Sequence, residues 1–108
     1  MGLIFEWDKK KAAMNLRKHG VSFEEAATAF GDPLSITIPD PDHSIDENRY
    51  LLMGESNTGR LLVDAHTELS DTIRIINARP VTPGERKTYD KEGRLTRPFF
   101  IGRGLTIG

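Results

Sequence analysis

Hydrophobic and polar positions alternate or recur along this chain with few ambiguous stretches. Leu3, Phe5 and Trp7 alternate with Ile4 and Glu6, which predicts a short strand. Asp8 is suited to cap a helix over KKKAAMNLRKH, where Ala12, Ala13 and Leu16 share one face. Gly20 fits the left-handed position that stops a helix, with Val21 folding back on it. Ser22 and Glu25 then form a capping box, and Phe23, Ala26, Ala27 and Phe30 keep the i, i+3, i+4, i+7 spacing of an apolar helical stripe. Two short helices are therefore expected between residues 8 and 30, with a sharp corner at His19–Gly20. After Pro33 the period changes to two. Leu34, Ile36 and Ile38 mark a half-buried strand, and PDPDHSIDEN is an acidic, proline-broken loop. Arg49 to Gly54, Arg60 to Thr67 and Thr72 to Arg79 read as three further strands, joined by the turn ESNTG and a second turn at Leu69–Asp71. Thr82 and Glu85 form a second capping box with Pro83 at the first helical position, opening a helix expected to stop at Gly93. The order is strand, two helices, antiparallel meander, helix. It predicts an α+β fold, with helices on one face of a mostly antiparallel sheet of about four to five strands.

Composition changes this picture little. A chain of 108 residues defaults to one domain, here residues 1–108. No apolar run approaches the roughly 20 residues that cross a bilayer, and the opening MGLIFEWDKKK is not a secretory signal. The absence of cysteine leaves no disulfide or thiolate chemistry, and a cytoplasmic setting is expected. The apolar tail containing Phe99, Phe100, Ile101, Leu105 and Ile107 is expected to cover a sheet edge or to dock on a second chain.

Charge is more informative. The net is −1, but residues 1–59 carry −4 and residues 60–108 carry +3. Residues 74–103 hold eight basic and three acidic side chains, which suggests a basic face. Three arginines, Arg74, Arg79 and Arg86, fall on or beside the join between the last strand and the last helix. A guanidinium fork suits phosphate or carboxylate, and the first turn of a helix favours a nearby anion. Glu85 and Tyr89 lie within a turn of Arg86, although Glu85 already has a sufficient role as a helix cap. On the first helix Asn15, Lys18 and His19 put an amide, an ammonium and an imidazole on one face. Histidine titrates near neutrality and can move protons there, or can simply complement the helix dipole. Glu47 and Arg49 open the strand after the acidic loop. His19, His43 and His66 lack the mutual spacing of a zinc site, and Asp40, Asp42, Asp46 and Glu47 lack that of an EF-hand, so neither a metal nor another cofactor is expected.

Three elements carry a resemblance to a known family: FEWDKKKAAMNLRKHGVSFEEAATAF, the segment ENR, and IRIINARPVTPGERKTY. In that order, over about residues 5–89, they resemble the BrnT toxins. The BrnT pattern pairs an opening F-x-W-D…K-H-G-V-S-F with a closing R-I-I-S-A-R…E-R-x-x-Y. Asn77 stands where the family has serine, Val81 where it has alanine, and residues 94–108 lie outside the match. The resemblance implies a RelE-like fold and a ribonuclease toxin that arrests translation. It also implies neutralisation by a BrnA-like ribbon-helix-helix antitoxin, with operator DNA bound only through that antitoxin, in a homodimer or a toxin–antitoxin heterotetramer. The matching polar positions are Lys18, His19, Glu47, Arg49, Arg79, Glu85, Arg86 and Tyr89. Metal-free cleavage would use Arg79 and Arg86 on the scissile phosphate, with Arg49 and Lys18 in support and His19 or Glu85 as base. Tyr89 or Arg86 would orient the leaving group, while Asn15, Glu47 and Arg74 would contact the RNA. The alternative is a catalytically inactive basic module that docks a partner protein or RNA.

Overall fold

The computed structural model describes residues 2–42 and 48–96. In chain order it contains β1 (Ile4–Glu6), α1 (Lys9–His19), α2 (Phe23–Thr28), a single 3-10 turn (Ala29–Gly31), β2 (Ile36–Pro39), β3 (Arg49–Glu55), β4 (Leu61–Leu69), β5 (Thr72–Pro80) and α3 (Pro83–Thr96). The expected α+β architecture is present. The five strands form one sheet in the order β1-β5-β4-β3-β2, antiparallel except for the parallel β1–β5 pair.

The helix boundaries follow from local chemistry. Asp8 accepts from the Lys11 amide at 2.9 Å, and Gly20 closes α1 at φ 70° while its N–H donates to the Leu16 carbonyl. Ser22 accepts from the Glu25 amide at 3.0 Å, but only this half of the expected capping box is used. The Glu25 carboxylate turns instead to Arg60, Ser56 and Thr58, tying α2 to the β3–β4 hairpin. At α3 the box is complete: Glu85 donates its N–H to Thr82 Oγ1 and its carboxylate accepts from the Thr82 amide. The helix runs through Gly93 to Thr96 rather than stopping at Gly93. Gly93 lacks the positive φ that would end it, and a helical glycine costs only about 1 kcal/mol.

One face of the sheet carries the core. Val21, Phe23 and Ala26 pack on Leu62, Ile73, Ile75 and Ala78, with Phe5, Trp7 and Phe30 at the margin. Edge-to-face pairs Phe5–Phe30 and Trp7–Phe23 add about 0.5–1.5 kcal/mol each to that burial. Gly54 admits the 3-10 turn: a Cβ there would lie 2.8 Å from the Ala29 carbonyl oxygen. Strand β2 begins at Ile36, not Leu34, and as the sheet edge leaves Ile38 about half exposed. In the turns, Gly59 and Ser70 take positive φ, while Asn57 does not.

Two irregularities of β5 place the side chains that follow. First, β1 covers only Thr72 to Arg74, so the outer edge of the rest of β5 has no neighbouring strand among the described residues. Second, Ala65 pairs with Asn77 and His66 with Ile75, leaving Ile76 as a bulge. The extra residue shifts the side-chain alternation by one, so Ile73, Ile75 and Ala78 all face the core. For the same reason Arg74 and Arg79, five positions apart, share the opposite face.

Candidate functional site

The unpaired edge of β5 is where the chemistry collects. Helix α1 lies along it, held by one side chain. Asn15 donates to the carbonyls of Val21 and Ala78, at 2.9 and 2.8 Å, and accepts from the Ala78 amide at 3.1 Å. This buried amide stands in for a missing strand and satisfies both backbone groups of Ala78. Both of its N–H groups are spent on carbonyls, so it has none left for a substrate, contrary to the expectation that Asn15 contacts RNA directly.

Between α1 and the β5 edge runs an open groove of about 570 Å³. Lys11, Met14, Arg17, Lys18 and His19 line one wall, and Ile76, Asn77 and Arg79 the other. Lys11, Met14, Asn15 and Lys18 follow the i, i+3, i+4, i+7 rule, which is why one helix face supplies them. Among the described residues, no carboxylate lines the groove. Sequence reasoning singled out Asn15, Lys18, His19 and Arg79, and the fold brings all four here. It missed Lys11, Met14 and Arg17. The first two were legible as helical neighbours of Asn15 and Lys18.

Arg79 is held by Glu85. Two parallel hydrogen bonds of 2.8 Å join the guanidinium fork to the carboxylate, and a third N–H contact reaches the Pro80 carbonyl at 3.2 Å. The pair is about one-third exposed. The Arg79 guanidinium, and then the Thr82 amide, hold the Glu85 carboxyl down at about 2. Glu85 raises Arg79 in turn. A carboxylate so stabilised is a poor proton acceptor at neutral pH. Glu85 is therefore a cap and an orienting group for Arg79 and is poorly suited to act as a base.

The remaining expected residues lie elsewhere. Arg86 borders a separate hollow of about 420 Å³ beyond Pro80, together with Arg60 and Leu61. Tyr89 is buried, and its hydroxyl donates to Asp32 at 2.6 Å, which anchors α3 to the turn before β2 instead of reaching the groove. Arg49 and Arg74 share a transverse row, Arg49 opposite Thr67 and Thr67 opposite Arg74. Arg79 lies opposite Val63, four residues along β4, or about 13 Å away at strand spacing. Arg49 sits 3.6 Å from Asp40, and Arg74 bonds Glu6 at 3.2 Å. Glu47 and most of the apolar tail lie outside the described residues. No cluster of three or more histidine, aspartate or glutamate side chains able to hold a metal occurs among the described residues. Among them too, no helix is long and apolar enough to cross a membrane.

Sequence reasoning also missed Asp64. It is fully buried on the core face, where neither carboxyl oxygen has a hydrogen-bond partner among the described residues. Burial, and then the charge of Glu25, pushes its carboxyl up to about 8.

The fold has a solved counterpart. The 1.1 Å crystal structure of the Brucella abortus ribonuclease toxin BrnT superposes with a TM-score of 0.56 at 20% identity, covering 76% of this chain and 97% of that one. Comparison with curated proteins gives no match. The family model described as the ribonuclease toxin BrnT of type II toxin–antitoxin systems matches residues 7–85, most of the strands and helices traced above, and the chain belongs to that family.

Proposed function

We infer that this protein is an endoribonuclease toxin that cuts RNA without a metal ion and thereby arrests translation. The observation that carries the reading is the groove that Lys18, His19 and Arg79 line together, with no carboxylate among its described lining residues. Single-stranded RNA offers a phosphate and a 2′-hydroxyl at every step. In this reading the phosphate sits against Arg79 and Lys18, and His19 accepts the 2′-hydroxyl proton. The 2′-oxygen bonds to phosphorus, the bond to the 5′-oxygen breaks, and that oxygen takes a proton from the Lys18 ammonium. The products are a 2′,3′-cyclic phosphate and a 5′-hydroxyl. Preorganised cations supply the largest share of such a rate enhancement because they need not reorganise as charge builds. RNA must compete with Glu85 for the Arg79 fork, and Arg86 remains available for a flanking phosphate. The neutralising partner is a small ribbon-helix-helix antitoxin of the BrnA kind, acting in the cytoplasm.

A second reading rests on the closed Arg79–Glu85 pair: both prongs are occupied, as in a module that binds RNA or protein without cutting. One experiment separates the two. Purified protein is incubated with a structured RNA in EDTA beside Arg79→Ala and His19→Ala. Cleavage by the wild type to cyclic-phosphate ends, reduced 100-fold or more in Arg79→Ala on the scale of a lost oxyanion donor, is expected. Absence of cleavage by the wild type would leave the binding module standing, and equal cleavage by all three would refute the assignment of Arg79 and His19.

A further inference from the structure

We propose that Met14, Ile76 and Asn77 form a nucleobase subsite in the groove, one that accepts an adenine next to the phosphate held by Arg79. The proposal rests on the ribonuclease reading for the identity of the ligand as RNA, and it adds which part of the RNA goes where. Groove walls that are cationic throughout would track a phosphate backbone and nothing else. Here the cations are interrupted. Lys11 and Lys18 lie seven residues apart on α1, about 10 Å at helical rise. Between them sits Met14, 59% exposed although it is large and apolar. Facing it across the groove is Ile76, the bulged residue of β5, displaced from the strand's regular alternation. The groove therefore presents cation, apolar patch, cation. Single-stranded RNA presents phosphate, base, phosphate. An apolar pair on opposite walls gives a base two faces to pack against, and a thioether adapts readily to a flat ring.

Asn77 supplies the edge contact. It adjoins Ile76, is exposed, and its amide has no hydrogen-bond partner among the described residues. It differs in this from Asn15, whose amide is consumed by backbone. A primary amide offers one acceptor and a donor side by side, which matches the donor and acceptor that adenine presents at its amino group and adjacent ring nitrogen. At that Hoogsteen edge guanine offers two acceptors, cytosine a donor alone and uracil an acceptor alone, so adenine is the base that engages both arms of the amide. The bulge is what makes this possible. It puts Asn77 on the Arg79 side of the sheet and Ile76 at the open edge, two positions that a regular strand would separate from the groove.

The test measures binding, so that it does not depend on cleavage. Heptamers of 2′-fluoro nucleotides, UUUNUUU with each of four bases at N, lack the attacking hydroxyl and cannot be cut by the inferred route. Fluorescence anisotropy with the full chain should show adenine at N binding about fivefold or more tighter than uracil. Asn77→Ala should abolish that preference by weakening the adenine heptamer to the level of the uracil one. Met14→Ala should weaken all four sequences together. Equal affinity for the four bases, or an adenine preference that survives Asn77→Ala, would overturn the proposal. Selective binding to adenine without cleavage of ordinary RNA would instead refute the ribonuclease reading and leave the subsite in place.

Discussion

Asp64 should make this protein less stable as pH rises across the physiological range. Its neighbours across the sheet are Ala78 and Leu52, its side chain is fully buried, and neither oxygen is hydrogen-bonded to any described residue. An ionised carboxylate there has nothing to replace its lost hydration, so the folded state keeps the proton. Its folded pKa of about 8 stands far above the ordinary 3.8, with burial the larger cause and the Glu25 charge the lesser. The sign follows directly. A pKa raised by folding contributes stability that is complete below the unfolded value and lost as pH rises through the folded one. Between about pH 4 and pH 8 the unfolded chain is ionised and the folded one is not, so stability falls by about 1.4 kcal/mol per pH unit. Between pH 5 and pH 7 the loss is about 3 kcal/mol, a large share of the roughly 5–15 kcal/mol that holds a domain of this size together. Urea denaturation at pH 5, 6, 7 and 8 measures the slope, with Asp64→Val as control. The variant should be flat over that range and exceed the wild type most at pH 8. Parallel stability curves for the two proteins would refute the assignment of a buried neutral acid.

Other consequences are read with the same methods. Asn15→Ala should cost about 2–4 kcal/mol, since it leaves the Ala78 amide and carbonyl unpaired at a buried edge; a loss below 1 kcal/mol in urea denaturation would show that water replaces the amide easily. Arg60→Ala removes the largest stabiliser of the Glu25 carboxylate, whose pKa of about 2 lies below the ordinary 4.5; the wild type should lose stability as pH falls from about 4.5 toward 2, and the variant should lose less over that window. Glu85→Gln keeps most of the helix cap but releases the charge on Arg79. It should tighten binding to non-cleavable RNA in anisotropy measurements, and unchanged affinity would mean that the Arg79–Glu85 pair does not compete with RNA. Gly54→Ala drives a methyl group to 2.8 Å from the Ala29 carbonyl oxygen and should destabilise by about 1–3 kcal/mol in thermal unfolding.

What the sequence disclosed and what it withheld divide along one physical line. Signals that act within a turn were readable: Asp8 and Ser22 as caps, Gly20 as a stop, Thr82 with Glu85 as a full box. Signals that depend on pairing were not. The register that separates Arg49 and Arg74 from Arg79, and the bulge at Ile76 that restores Arg79 to their face, are fixed by strand neighbours. Tyr89 shows the same limit. One turn from Arg86 it looks like a member of the site, but the helix orientation sends its hydroxyl to Asp32. The sequence placed Asn15 on one helix face with Lys18 and His19, and nothing local reveals that a strand edge 63 positions away needs its amide.

That unpartnered edge also settles what Pro80 does beside Arg79. In an antiparallel pair, successive residues of a strand turn their backbone groups alternately toward the partner and away from it. The Val81 N–H donates to the Leu61 carbonyl and so faces β4, whereas the Ala78 N–H faces outward to Asn15. Position 80 therefore directs its nitrogen outward, like Ala78, to the side where β5 has no neighbour. A proline there removes no bond of the ladder, which is why it is tolerated at the end of an edge-exposed strand. Its carbonyl is still used, accepting an N–H from Arg79. Pro80 thus leaves the ladder beside Arg79 intact, and its fixed φ helps direct the chain into the Thr82 cap that also holds Glu85. The arginine, its carboxylate partner and the start of α3 form one hydrogen-bonded corner, which presents a single cation to a groove that α1 lines with the rest.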